Sequence, residues 1–134
     1  MKPEDKIQVE IVLWFSHTFP EYRGCLWGVF NEDSKHKKSL GMHKGASDLM
    51  LFVNNTFAGI EVKAPNSTHK TTHISQQLEW GTTIIKNGGV YMICSDIEEI
   101  KAFITGIIND TFYVTDGFAW IERAIEKGEK TIKF

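Results

Sequence analysis

The chain has 134 residues, 42% of them apolar, with nine Phe, four Trp and three Tyr and a formal net charge of −2. That is the size of one ordinary domain with a sizeable core. The charge excludes a histone-like or polybasic protein, so any nucleic-acid contact must come from a local basic patch.

Residues 4 to 19 read as a helix: Pro3, Glu4 and Asp5 suit its start, Ile7, Ile11, Trp14 and Phe15 share one face, and Pro20 stops it. Residues 25 to 30 read as a strand, and the polar stretch Asn31 to Ser47 as a long loop. Leu49 to Val53 and Phe57 to Lys63 are two strands joined at the turn pair Asn54-Asn55, a β-hairpin. Asn66 to Thr72 reads as a loop. Residues 75 to 87 read as a helix with Ser75 as N-cap, ended by Asn87-Gly88-Gly89. Val90 to Cys94 is a short buried strand, and Asp96 opens a helix to about Ile108. The order is α-β-β-β-α-β-α. In the tail, Phe112 to Thr115 suggests a strand, and Phe118, Ile121 and Ile125 a short amphipathic helix.

Cys25 and Cys94 form no CxxC pair and read as buried thiols in a reducing compartment. The longest apolar runs are five residues, as at Ile11 to Phe15, against the roughly 20 that a membrane span needs. The charged start is no secretory signal. A cytoplasmic protein without a membrane partner is expected.

The hairpin carries the chemistry. Strand side chains alternate, so Glu61 and Lys63 share a face of an otherwise apolar strand. With a two-residue turn, Val53 pairs with Thr56, and counting back sets Asp48 opposite Glu61, roughly 4.5–5.5 Å away between Cα atoms. Two carboxylates that close repel unless a cation lies between them, and Mg²⁺ is the natural oxygen-ligated choice. Lys63 would hold the attacking water or neutralise transition-state charge. The alternative is a turn aspartate and a solvated Glu61–Lys63 edge pair, and a one-residue slip would turn Asp48 to the wrong face.

Gly45-Ala46-Ser47-Asp48-Leu49 followed by Ile60-Glu61-Val62-Lys63 resembles the PD-(D/E)XK nuclease superfamily. More of the chain, about residues 4 to 108, resembles its VRR-NUC (virus-type replication-repair nuclease) branch, in particular small stand-alone phage members. The further matches are Gly41 and Gly45 before the aspartate, Gln77 with Trp80 three residues on, Gly88 and Gly89 before a buried strand, and Asn31 and Glu32. Glu4 with Gln8 matches the family's N-terminal helix motif, with Glu10 as a rival. Ser47 departs from the family's frequent proline.

The resemblance implies a restriction-endonuclease-like α/β core, a mixed sheet flanked by helices, within one domain spanning 1–134 whose residues 109–134 are an extension. It implies catalytic roles for Asp48, Glu61, Lys63, Gln77 and Glu4, with Gln76 as the fallback for Gln77. It implies a metal held by Asp48, Glu61 and the Val62 carbonyl, Mg²⁺ with Mn²⁺ as substitute. It also implies a homodimer, and host-cell cytoplasm if the chain is phage-encoded.

From Lys35 to Ser47 there are four lysines and no acid, and from Val62 to Leu78 again no acid. Lys35, Lys37, Lys38, His43, Lys44 and Lys70 are therefore the candidate phosphate contacts. His69 and His73 lack a second ligand pair, and zinc is not expected. The function expected is metal-dependent hydrolysis of DNA, structure-selective for branched or Holliday-junction DNA in replication, repair or recombination. The alternative is a non-catalytic DNA-binding or interaction module on the same fold.

Overall fold

The computed structural model describes residues 1–29, 46–111 and 118–134. In chain order the elements are α1 (Pro3–Thr18), a short 3₁₀ turn (Pro20–Tyr22), β1 (Leu26–Gly28), β2 (Leu49–Val53), β3 (Thr56–Val62), β4 (Thr68–Lys70), α2 (Thr71–Lys86), β5 (Val90–Cys94), α3 (Ile97–Asn109), α4 (Ala119–Glu126) and β6 (Thr131–Lys133).

The hairpin sets the register of the sheet. Asn54 and Asn55 take positive φ values of 51° and 59°, the pair that a two-residue type I′ turn requires and that asparagine tolerates. Val53 therefore faces Thr56, and the ladder runs back to Leu49 against Ile60. The Asn54 side chain also donates to the carbonyls of Ile107 and Ile108, tying the turn to the last turn of α3. β1 lies antiparallel beside β2, and β5 runs parallel to β3 on its other side, giving the order β1-β2-β3-β5. The sheet is mixed, as expected.

Alternation along the strands divides the core in two. Leu49, Leu51, Ile60 and Val62 face Ile11 and Phe15 of α1 and Ile100, Phe103 and Ile104 of α3. Tyr91 and Ile93 project from the opposite face toward Ile74, Leu78 and Ile84 of α2 and Ile121 of α4. β3 is thus an interior strand with helices on both sides. No helix among the described residues is long and apolar enough to cross a membrane.

Four sequence expectations are corrected. The stretch 66 to 72 is not all loop: β4 forms there because β6, far along the chain, pairs with it. α2 starts at Thr71 rather than behind a Ser75 cap. The backbone N–H of Thr71 donates to Lys130 O at 3.1 Å and its hydroxyl to Glu129 O at 2.7 Å, so the C-terminal segment anchors the first turn. His69 accordingly lies on β4 rather than in a loop, and His73 on α2. Cys25 is only half buried, whereas Cys94 is buried as expected. Both are free thiols, and burial pushes that of Cys94 up to about 12. The N-cap at Asp96 is present, its carboxylate accepting from the backbone of Glu98 and Glu99. The strand expected at Phe112 to Thr115 lies outside the described residues.

Candidate active site

The β2–β3 ladder ends at Leu49 and Ile60, and β3 runs past it. Val62 thus has no backbone partner on β2. Asp48, just before β2, fills the gap: its Oδ2 accepts the Val62 N–H at 2.8 Å. In an extended strand a residue's N–H and C=O leave by the same edge, so the Val62 carbonyl is also directed to the Asp48 side. On the opposite edge the Lys63 N–H donates to Cys94 O at 2.9 Å.

Glu61 and Lys63 share the face covered by α2. Both are buried, at 3% and 2% exposure. An interior strand under a helix is no place for a solvated edge pair, and that alternative is excluded. Glu61 Oε1 accepts from Gln77 Nε2 at 2.7 Å and lies 3.6 Å from Lys63 Nζ. Glu61 Oε2 is buried without a partner among the described residues. The carboxyl groups of Asp48 and Glu61 are within hydrogen-bonding reach of each other. Burial first, then the Asp48 charge, holds Glu61 well above the usual carboxylate range. Burial also raises Asp48, opposed by the Val62 N–H.

α2 reaches this site through two residues one turn apart. Gln77 holds Glu61, and Trp80 Nε1 donates to Ser47 Oγ at 3.1 Å, pinning the residue before Asp48. Ser47 is fully buried, so the serine at this position has a use: it is an acceptor, which proline would not supply. Gln76 is exposed and turned away. His73 Nε2 lies 3.4 Å from Gln77 Nε2. Because that amide nitrogen can only donate, His73 offers it a lone pair.

Glu4 enters from the first turn of α1, half buried. Burial raises its pKa, the Lys63 charge lowers it and the Asp48 charge raises it, which places it at the site's margin. Its rival Glu10 is exposed. Glu4 Oε1 lies 3.7 Å from His69 Nε2. Ser67 Oγ donates its one proton to Ala64 O at 2.6 Å, so its 2.8 Å contact with His69 Nε2 needs the proton on His69. Burial and the Lys63 charge lower the His69 pKa, favouring a neutral ring.

Lys35, Lys37, Lys38, His43 and Lys44 lie outside the described residues, as do Gly41, Gly45, Asn31 and Glu32. Lys70 is exposed at the end of β4. Ser47, His69, His73 and Tyr91 were not singled out as site residues from sequence. His69 and His73 are placed by the β4–β6 pairing, Tyr91 by the β3–β5 register and Ser47 by its contact with Trp80 of α2, none of which a local pattern encodes.

Among the described residues no cluster of three His, Cys, Asp or Glu side chains is shaped for a metal. The donor set on offer is two carboxylates and a backbone carbonyl. It fits a hard divalent cation: Glu61 has a buried carboxylate oxygen without a partner among the described residues, Asp48 lies within hydrogen-bonding reach of it, and the Val62 carbonyl leaves by the same edge.

No protein-family model matches the chain, and no curated protein matches it in sequence. A solved structure, a VRR-NUC domain protein, superposes with a TM-score of 0.66 at 18% identity, covering 87% of this chain and 95% of its own. The chain has a VRR-NUC-like fold. At that identity the likeness is one of architecture. On this VRR-NUC-like scaffold the strand pair β2–β3 and helix α2 bring Asp48, Glu61, Lys63 and Gln77 to one end of the sheet.

Proposed function

We propose that the chain is a metal-dependent deoxyribonuclease whose site is built by Asp48, Glu61, the Val62 carbonyl and Lys63. The observation that carries this reading is the buried Glu61 carboxyl, held up by burial and the Asp48 charge, within hydrogen-bonding reach of half-buried Asp48 and beside Lys63. Two adjacent carboxyls in a dry setting are costly in the protein alone, and a Mg²⁺ or Mn²⁺ ion would relieve both the repulsion and the unpartnered Glu61 oxygen. When bound, such an ion supplies Lewis acidity toward a phosphate oxygen and lowers the pKa of water.

The chain's own residues do the rest. Asp48 and Glu61 hold the ion, and Gln77 fixes the Glu61 carboxylate. Lys63, with its stem buried and its ammonium 3.6 Å from Glu61, neutralises charge developing on the phosphate or steers the attacking water. Glu4 contributes a further carboxyl at the margin. Lys35, Lys37, Lys38, His43, Lys44 and Lys70 contact the DNA backbone, giving position and salt-dependent affinity. The substrate is branched DNA, Holliday junctions included, and the active form is a homodimer; both follow from the sequence resemblance.

The test is cleavage of labelled junction, flap, single-stranded and duplex DNA by the purified chain, with and without Mn²⁺. Metal-dependent cutting that disappears in Glu61→Gln is expected. A protein that binds neither Mn²⁺ nor Mg²⁺ and cuts none of the four is a DNA-binding or interaction module instead.

A further inference from the structure

A second surface, away from the carboxylates, has the makings of a nucleic-acid contact. α4 buries Ile121 and Ala124 but turns Trp120 and Arg123 outward, with Lys127 following at its C-cap, one helical stripe. Trp120 is 41% exposed, so much of its indole is left open to a further ring. The stripe borders a cleft of about 330 Å³ whose other wall is Glu129, Ile132 and Lys133. Three cations thus face one acid, and no ion pair among the described residues occupies Arg123, Lys127 or Lys133. A neighbouring cleft of about 230 Å³ shares Trp120 and Lys133 but carries Asp96 and Glu99, which would repel phosphate.

The cationic cleft is linked to the candidate active site by a short row of rings. Trp120 meets Phe134 edge-on at 5.5 Å, and Phe134 meets His69 edge-on at 5.7 Å. His69 in turn lies 3.7 Å from Glu4 at the site's margin.

We propose that this cleft binds a single strand of nucleic acid, one base stacked on the Trp120 indole with its flanking phosphates on Arg123, Lys127 and Lys133. The exposed indole gives any base a π-face, and the cations give sequence-independent attraction for the backbone. Resting on the proposed nuclease reading, this makes the C-terminal segment the part that grips the unpaired arm of a branched substrate. An acidic protein segment would match the charges but has no use for the exposed indole.

Anisotropy with a labelled oligothymidylate, in EDTA so that no cleavage occurs, tests the cleft. Trp120→Ala should weaken binding about ten- to a hundredfold, and Trp120→Phe should recover most of the loss. Lys127→Glu with Lys133→Glu should weaken it further and flatten the log–log salt slope by about 0.7 per lost contact. Circular dichroism checks that each variant is folded. Wild-type affinity and slope in folded Trp120→Ala and in the double charge variant would overturn the proposal, as would competition by polyglutamate equal to that by unlabelled oligothymidylate. Failure of the nuclease reading is distinguishable. If wild type cuts no DNA yet binding still depends on Trp120, the cleft stands and the catalytic assignment falls. If wild type cuts single strands and Trp120→Ala binds and cuts them equally, the cleft falls alone.

Discussion

Asp48 Oδ2 accepts the backbone N–H of Val62 at 2.8 Å, so the carboxylate proposed as a metal ligand also closes the β2–β3 ladder. The two roles separate by mutation. Asp48→Asn keeps an acceptor oxygen for Val62 but loses the charge. Asp48→Ala loses both, leaving a part-buried N–H unpaired at a cost of about 1–3 kcal/mol. Without metal, Asp48→Asn should melt at or above the wild-type temperature and Asp48→Ala below it. Calorimetry should find Mn²⁺ binding abolished in both. Wild-type Mn²⁺ affinity in Asp48→Asn would remove Asp48 from the ligand set.

The raised pKa values of Asp48 and Glu61 set a pH dependence whose sign is fixed. A carboxyl whose folded pKa lies above its unfolded value contributes most below the unfolded value, here 3.8 for Asp48 and 4.5 for Glu61. That contribution is lost as pH rises through the folded values. Metal-free protein should therefore lose stability from this pair as pH climbs from that range toward neutrality. Mn²⁺ must displace the retained protons, so its stabilising effect should grow over the same interval. Thermal melts at several pH values, with and without Mn²⁺, read both trends; a metal-induced shift that is largest at the acid end contradicts the assignment.

Lys63 is predicted to act on the chemical step. Its stem is buried, so Lys63→Met fills the space and removes only the charge. Single-turnover cleavage should slow by roughly 10²–10³ with Mn²⁺ and DNA affinity nearly unchanged. Lys63→Arg should not restore the rate, because the guanidinium is bulkier and does not deprotonate. Wild-type cutting by Lys63→Met would reduce Lys63 to a counter-ion for Glu61.

Tyr91 sits in a slot between Gly59 and Gly81. A Cβ at Gly81 would lie 2.4 Å from the Tyr91 ring, and one at Gly59 would lie 3.3 Å from it. The hydroxyl at its tip is buried with no partner among the described residues, and burial with the Glu61 and Asp48 charges pushes its pKa up. Gly81→Ala should be destabilising by about 1–3 kcal/mol through overpacking, although alanine is the better helix former. Tyr91→Phe should be neutral or stabilising by about 1 kcal/mol, since it deletes an unpaired buried hydroxyl. Denaturant titrations measure both. A Tyr91→Phe variant weakened by a kilocalorie or more would show that the hydroxyl has a partner, such as a buried water.

The centre of the site was legible in the residues themselves because its geometry is local. Two asparagines able to take positive φ fix a two-residue turn, the turn fixes the register, and a period of two then sets Asp48 beside Glu61 and keeps Lys63 on the same face. The amphipathic periods of α1 and α3, the Asp96 cap and the apolar run of β5 are likewise short-range patterns. What only the tertiary structure decided is everything that needs a distant partner. β4 exists because β6 pairs with it, and α2 begins a turn early because Glu129 and Lys130 satisfy its first residue. Burial of Glu61 and Lys63 follows from β5 closing the edge of β3 while α2 covers its face. That burial excludes the solvated-pair reading, which the sequence had left open, because two charges on an isolated strand carry no sign of what will later be packed over them.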